Sequence, residues 1–468
     1  MLSNARASAL KNILQTKKIF DFPKSGYLAL ALLIRLLLAP FFSHPFDERV
    51  FMAVGASVAK GITPYGQYVL QNIFAGTPHP HLYGTVLGIG YPPPWGLMCG
   101  EMYVLSSAFA PNNLYAYVLA LKLPVIAGEL ALAVLVYRIL RKEVEEKTAF
   151  KAFLLFLFCP FLITTGTVWG MFDTLALFFA VFSAYSLNRN WKMSSVYLSV
   201  ASVLKLFPLT LAPLYAVLIY KTDKSFKKAF SFFTVTVALT ATFTFVPMIV
   251  YNWPLSNMYN ALGYHVTAMS TPYGAQTVAQ TGIAGTPYDG VVVFPYGAAS
   301  PFNVFTLLNG YVSAAIQPPD ISIYLWIPAC IAVYVFLLRA NRSEREVSKF
   351  AVTVQWSLLL MLTLFTTRVW VSEQNLTFLF VFFALTVYLM RLDLASVHML
   401  WIMLLCFVVV HVPAVSFLWL PYPWTVDSAS VFANGPLGWT RLLMMTMLTF
   451  SWLVLSWHYV VRKLRWNT

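Results

Sequence analysis

Long apolar runs separated by short polar loops dominate this chain. About twelve such runs recur, at 26–43, 115–140, 150–168, 172–188, 193–206, 208–220, 226–251, 322–340, 349–367, 374–391, 397–417 and 438–461. Some twenty apolar residues wound as an α-helix cross about 30 Å of hydrocarbon. In that medium every backbone N–H must bond within its own helix or a closed barrel. The pattern therefore predicts an all-α polytopic membrane protein, one integral domain over 1–468 with about twelve transmembrane helices. The runs 193–206 and 208–220 are too short to cross comfortably, and they flank Leu204-Lys-Leu-Phe-Pro208. They are expected to be broken helices lining a cavity. The stretch 86–113 is apolar enough for a span, yet counting it as one would move the basic segment from Arg138 to Lys151 to the wrong side. It is expected instead within a large first loop, 44–113, holding short helices at the membrane surface. Tyr91-Pro-Pro-Pro-Trp95 suits the start of one of them, because proline fits a first helical turn.

Charge orients the bundle. Arg6, Lys11, Lys17, Lys18 and Lys24 precede the first run, while 252–321 contains no Lys or Arg. The positive-inside tendency then places 1–25 and both termini in the cytoplasm, with 44–113 and 252–321 as extracytoplasmic loops. Polar and basic residues ahead of the first run, with no small-residue cleavage site, do not read as a cleavable signal peptide. The membrane would be a prokaryotic cell membrane, archaeal included, or that of the endoplasmic reticulum. A net charge of +14 raises nucleic acid as a partner, but the cations sit in loops between helices and topology accounts for them. Cys99, Cys159, Cys330 and Cys406 have no paired spacing, which argues against a disulfide framework or a metal cluster.

Only 17 of 468 residues are acidic, so two adjacent carboxylates, Asp47 and Glu48, stand out directly after the first run. A base there could serve a polar acceptor while a lipid-borne substrate approaches from the bilayer. Asp47 also reads as the N-cap of a helix over 48–60, and Glu48 as a first-turn acid. Lys122 and Glu129 lie seven residues apart and share a helix face; Arg35, near mid-depth of the first span, is expected to pair with Glu129. His44, His79, His81 and His265 all fall on the outer side, but their spacing is poor evidence for a metal. No cofactor is firmly implied, and a divalent metal is disfavoured.

Several segments taken in order resemble GT-C glycosyltransferases that use a polyprenyl-phosphate-linked sugar, nearest to the catalytic subunit family of GPI mannosyltransferase I and its prokaryotic relatives. They are Asp47-Glu-Arg-Val-Phe51, Gly61-Ile-Thr-Pro-Tyr65, Tyr91-Pro-Pro-Pro94, the second-span acid of Leu121-Lys-Leu-Pro-Val-Ile-Ala-Gly-Glu129, Gly170-Met-Phe-Asp173, Lys205-Leu-Phe-Pro208 and Val371-Ser-Glu-Gln-Asn375. The family pattern Asp-x-Asp has Pro45 at its first acid here, which weakens a bidentate metal site and leaves Asp47 as a single catalytic carboxylate.

The resemblance implies a GT-C fold and an inverting transfer, mannose first among sugars, from a polyprenyl- or dolichyl-phosphate donor. The acceptor would be a hydroxyl of a glycan, lipid or protein, and an accessory membrane subunit is compatible with it. Such transfer needs a base, a cation for the departing phosphate, and groups that hold the sugar. Asp47 is the base; Glu48, Asp173, Glu373 and Gln374 are auxiliary or orienting groups. Lys205, Arg368 and Lys122 would meet the lipid phosphate, against snorkelling to the headgroups as the plain alternative. Tyr91, Trp95, Trp169 and His265 would stack on sugar or prenyl chain, although interfacial aromatics are common in any membrane protein. Asp173 could equally be a helix N-cap. Two other functions stay open: a flippase or transporter of a lipid-linked saccharide, and a non-catalytic subunit of a glycosylation complex.

Overall fold

The computed structural model describes residues 25–44, 47–77, 79, 82, 84–268, 279–281, 290–292, 298–312, 319–340, 348–411, 418–419 and 436–463. Its basic N-terminal segment, Asp289, His81 and the loop 341–347 lie outside the described residues, so the charge-based orientation rests on the remaining loops. The chain is mainly helical. In order run α1 (Ser25–Leu38), β1 (Phe42–Ser43), α2 (Asp47–Val58), β2 (Gln67–Val69), α3 (Leu70–Ile73), β3 (Thr85–Leu87), α4 (Pro93–Phe109), α5 (Leu114–Glu143), α6 (Glu146–Phe158) and α7 (Pro160–Ile163). Then follow α8 (Asp173–Ser186), α9 (Trp191–Leu204), α10 (Leu211–Asp223), α11 (Phe226–Val250), α12 (Leu255–Ala268), β4 (Ala279–Thr281) and β5 (Gly290–Val292). The last third holds α13 (Asn303–Val312), α14 (Trp326–Arg339), α15 (Lys349–Thr367), α16 (Leu376–Leu389), α17 (Ala395–His411), β6 (Leu418–Trp419) and α18 (Pro436–His458).

Among the described residues, six helical segments are long and apolar enough to cross a bilayer: Leu114–Glu143, Glu146–Val168, Phe226–Val250, Ile321–Arg339, Lys349–Thr367 and Thr440–Arg462. Four shorter apolar helices accompany them: Ser25–Leu38, Asp173–Ser186, Glu373–Leu389 and Ala395–His411. The two short runs anticipated around Lys205 are α9 and α10, of 14 and 13 residues. At 1.5 Å per residue each is about 20 Å long, short of the hydrocarbon thickness. Lys205 between them is extended (φ −135°, ψ 128°), and a 3₁₀ turn over Phe207–Thr210 follows. The stretch 86–113 forms α4, which opens at Pro93 with prolines in its first turn and lies along α2. Side chains of Asn113, Asn190, Ser225 and Ser348 cap α5, α9, α11 and α15, each accepting a backbone N–H in the first turn.

α16 is the axis of the bundle: every residue from Leu376 to Tyr388 is buried. By contrast, α11 turns Phe230, Val237, Phe245, Val246, Ile249 and Val250 outward, as α1 does Leu30, Leu33 and Leu37. Apolar chains on the outside suit a hydrocarbon solvent. The strands are ties of two or three residues. β1 pairs antiparallel with β6 (Phe42 opposite Trp419), and β2 pairs with β3 (Tyr68 opposite Val86).

Candidate functional site

Asp47 and Glu48 open α2, and successive helical side chains diverge by about 100°. That divergence separates the two acids. The Asp47 Oδ2 accepts the Trp169 indole N–H at 2.8 Å and lies 3.2 Å from His44 Nδ1. The His44 ring stacks on Trp169, centroids 4.2 Å apart and planes 7° from parallel. Its backbone N–H donates to the Trp169 carbonyl at 3.1 Å, which fixes the chain leaving α1 against the turn before α8. The Asp47 side chain keeps 24% of its surface open, whereas Glu48, Asp173 and Glu373 keep 2%, 1% and 4%. Asp47 is thus the accessible acid of the four.

Glu48 turns inward to Lys122, Oε2 to Nζ 3.9 Å. The Lys122 ammonium donates to the carbonyls of Ala39 at 3.2 Å and Val168 at 3.1 Å, and also to that of Phe42. Its three donors are occupied and the residue is fully buried, so the expected contact with a lipid phosphate gives way to a structural clasp. Glu48 likewise belongs to that clasp and not to the open site. Burial pushes the Glu48 carboxyl up to about 7, with Lys122 opposing and Asp47 adding to the shift. Gly170 makes the approach possible: its φ of +96° favours glycine, and a Cβ there would stand 2.4 Å from Glu48 Oε2.

Below the clasp, Arg35 Nε donates to Glu129 Oε2 at 2.5 Å, the pairing anticipated from the two spans. Arg35 Nη1 donates to the carbonyls of Ala31 and Leu157, and Thr167 donates to Glu129 at 3.1 Å. The Thr167 contact comes from a π-helical turn over Thr164–Val168, where Gly166 leaves room for the carboxylate.

Asp173, the first residue of α8, faces Lys205 at 3.0 Å. The Lys205 ammonium also donates to the Tyr91 hydroxyl at 3.3 Å and stands 4.7 Å over the Tyr91 ring and 5.0 Å over that of Phe172. Asp173 and Tyr91 both feel the charge of Asp47, so this cluster adjoins the open acid. Two sequence elements meet here: the Tyr65 hydroxyl donates to the Tyr91 carbonyl at 2.9 Å.

Glu373 has a partner of its own. Glu373 Oε1 lies 2.6 Å from His411 Nδ1, and Arg441 Nη1 donates to the His411 carbonyl at 3.0 Å. His44 lies in the electric field of both Glu373 and His411.

Other expected roles change. Trp95 is 1% exposed and stacks on Phe172 at 4.0 Å, so it is a core ring and not a stacking platform for ligand. Trp169 is 2% exposed and holds Asp47 and His44, which leaves neither face for a sugar. Arg368 ends α15 in extended conformation, and Glu373 in the turn that follows pairs with His411. Among the described residues no contact joins Arg368 to the Asp47 cluster. Gln374 is buried beside Glu373. His265 falls within α12, its side chain outside the described residues. Among the described residues no group of three or more His, Cys, Asp or Glu converges as for a metal ion.

His44 and His411 are the partners that sequence reasoning missed. His44 is three residues from Asp47, a spacing that could have flagged it. His411 is 38 residues from Glu373, and nothing local marks it. No protein-family model matches the chain, and no curated protein sequence matches it.

Proposed function

We propose that the chain is an inverting glycosyltransferase of GT-C architecture, with about twelve spans, that moves a hexose from a polyprenyl- or dolichyl-phosphate donor to an acceptor hydroxyl. Mannose is the first sugar to test. The observation that carries this reading is the exposure of Asp47 alone among four clustered carboxylates, the other three, Glu48, Asp173 and Glu373, being sealed. Asp47 takes the acceptor's proton as its oxygen attacks the anomeric carbon. Its carboxylate is preset for this by the Trp169 N–H, which costs no reorganisation at the moment of reaction. Lys205, aligned by Asp173 and Tyr91, is the cation that stabilises the departing lipid phosphate. The broken helix at Lys205 supplies the polar breach in an apolar wall through which a lipid-borne donor reaches it. The reaction is placed on the extracytoplasmic face.

Purified protein is incubated with radiolabelled polyprenyl-phosphate mannose or glucose and a panel of glycan, lipid and peptide acceptors. A new glycosidic product is expected, and Asp47→Asn lowers its rate by about 10²–10⁴, the usual worth of a positioned general base. Wild-type rates from that variant remove Asp47 from the mechanism. Movement of intact lipid-linked sugar across liposomes with no new bond identifies a flippase instead.

A further inference from the structure

Resting hydrogen bonds assign the tautomer of His44. Its Nδ1 accepts the Asp47 backbone N–H at 3.2 Å, so that nitrogen carries no proton and Nε2 does. The same Nδ1 stands 3.2 Å from Asp47 Oδ2. A lone pair on nitrogen therefore faces a carboxylate oxygen at a distance where only a shared proton makes the contact attractive. Trp169 holds both partners in register, stacking one and donating to the other.

We propose that His44 is the second proton carrier of the site, receiving at Nδ1 the proton that Asp47 takes from the acceptor. This rests on reading Asp47 as the base. The acceptor O–H bond breaks as its oxygen bonds to the anomeric carbon. The bond from that carbon to the phosphate oxygen breaks with its electron pair left on the lipid phosphate. The proton passes from acceptor oxygen to Asp47 Oδ2 and on to Nδ1, which leaves an imidazolium and a restored carboxylate, and then goes to solvent.

An isolated imidazole outcompetes a carboxylate for a proton, with reference values of about 6.5 and 3.9. The groups facing His44 temper that difference: burial lowers its affinity, Asp47 and Glu373 raise it, and His411 and Arg49 lower it. Glu373, from the turn before α16, is the acid other than Asp47 that stands ready to offset the new positive charge.

Two variants separate this from simple packing. His44→Phe keeps a ring to stack on Trp169 but has no nitrogen; His44→Gln serves if the phenylalanine chain does not fold. Either is expected to lower kcat by about 10², the lower end of the range for a positioned proton acceptor, with KM nearly unchanged. The pH profile is the discriminating readout. Wild-type kcat falls as acid protonates His44, and in the variants that limb shifts because the imidazole is gone. Wild-type kcat in His44→Phe, or a lowered kcat with the acid limb unmoved, overturns the proposal. Retained transfer by Asp47→Asn overturns the base reading itself, and the relay with it; a dead Asp47→Asn beside a wild-type-like His44→Phe overturns the relay alone.

Discussion

Asp47 and Glu48 share one peptide bond and have opposite surroundings. Glu48 is held above the ordinary glutamate value of 4.5, near 7, by burial. The folded state thus retains a proton that the unfolded chain releases. The stabilisation from that proton is full below pH 4.5 and is lost as pH rises through about 7. Glu48→Gln should flatten the fall of Tm across that window, read by thermal unfolding in detergent at a series of pH values. A slope equal to wild type would show that Glu48 is not the titrating group. Deeper in the same wall, Glu129→Ala strands Arg35, which is fully buried. Leaving one charge of a buried pair costs about 3–5 kcal/mol. A severe loss of thermal stability is expected, and pairing it with Arg35→Met should restore part of the loss. If the double variant is no more stable than Glu129→Ala, the pair is not coupled.

At the scale of elements, the turn between α7 and α8 does several tasks in nine residues. Its π-helical part brings Thr167 onto Glu129, and the residues after it bring Trp169 onto Asp47 and His44 and Gly170 against Glu48, before α8 begins at Asp173. Gly170→Ala combines an unfavourable positive φ with a steric clash and is expected to cost about 1–3 kcal/mol. Because the turn carries Trp169, activity should fall further than stability alone explains. A Gly170→Ala chain with wild-type Tm and kcat would show that the turn can shift. The elements differ in how readable they were. Pro93 at the first turn of α4 and the break at Lys205 announce themselves through proline and a lone cation in apolar runs. The π turn does not, since Thr164-Thr-Gly-Thr-Val168 continues an apolar run and looks like ordinary helix until Glu129 pushes between its turns.

For the whole molecule, the apolar outside of α1 and α11 around a sealed α16 describes a bundle built for lipid. Positive charge in the loops gives an expected orientation. Cysteines placed at the exposed positions Lys60 and Lys147, in a Cys406→Ser background, test that orientation. A membrane-impermeant maleimide should label position 60 on intact cells and position 147 only after permeabilisation. The reverse pattern would put Asp47 on the cytoplasmic side and exclude an extracytoplasmic reaction.

Periodicity and charge placement are local properties, so the sequence alone determined the helical bundle, the short broken pair around Lys205, the helix that starts at the prolines and the pairing of Arg35 with Glu129. Which acid stays open is not local. It depends on a one-residue rotation about α2, on the space left by Gly170, and on Trp169 arriving 122 residues later to hold Asp47. Lys122 was indistinguishable in sequence from a lipid-facing cation until three carbonyls from two different segments closed around it. Only tertiary structure could separate a clasp from a site, because burial, which decides the fate of a charge in an apolar medium, is a property of the packed bundle.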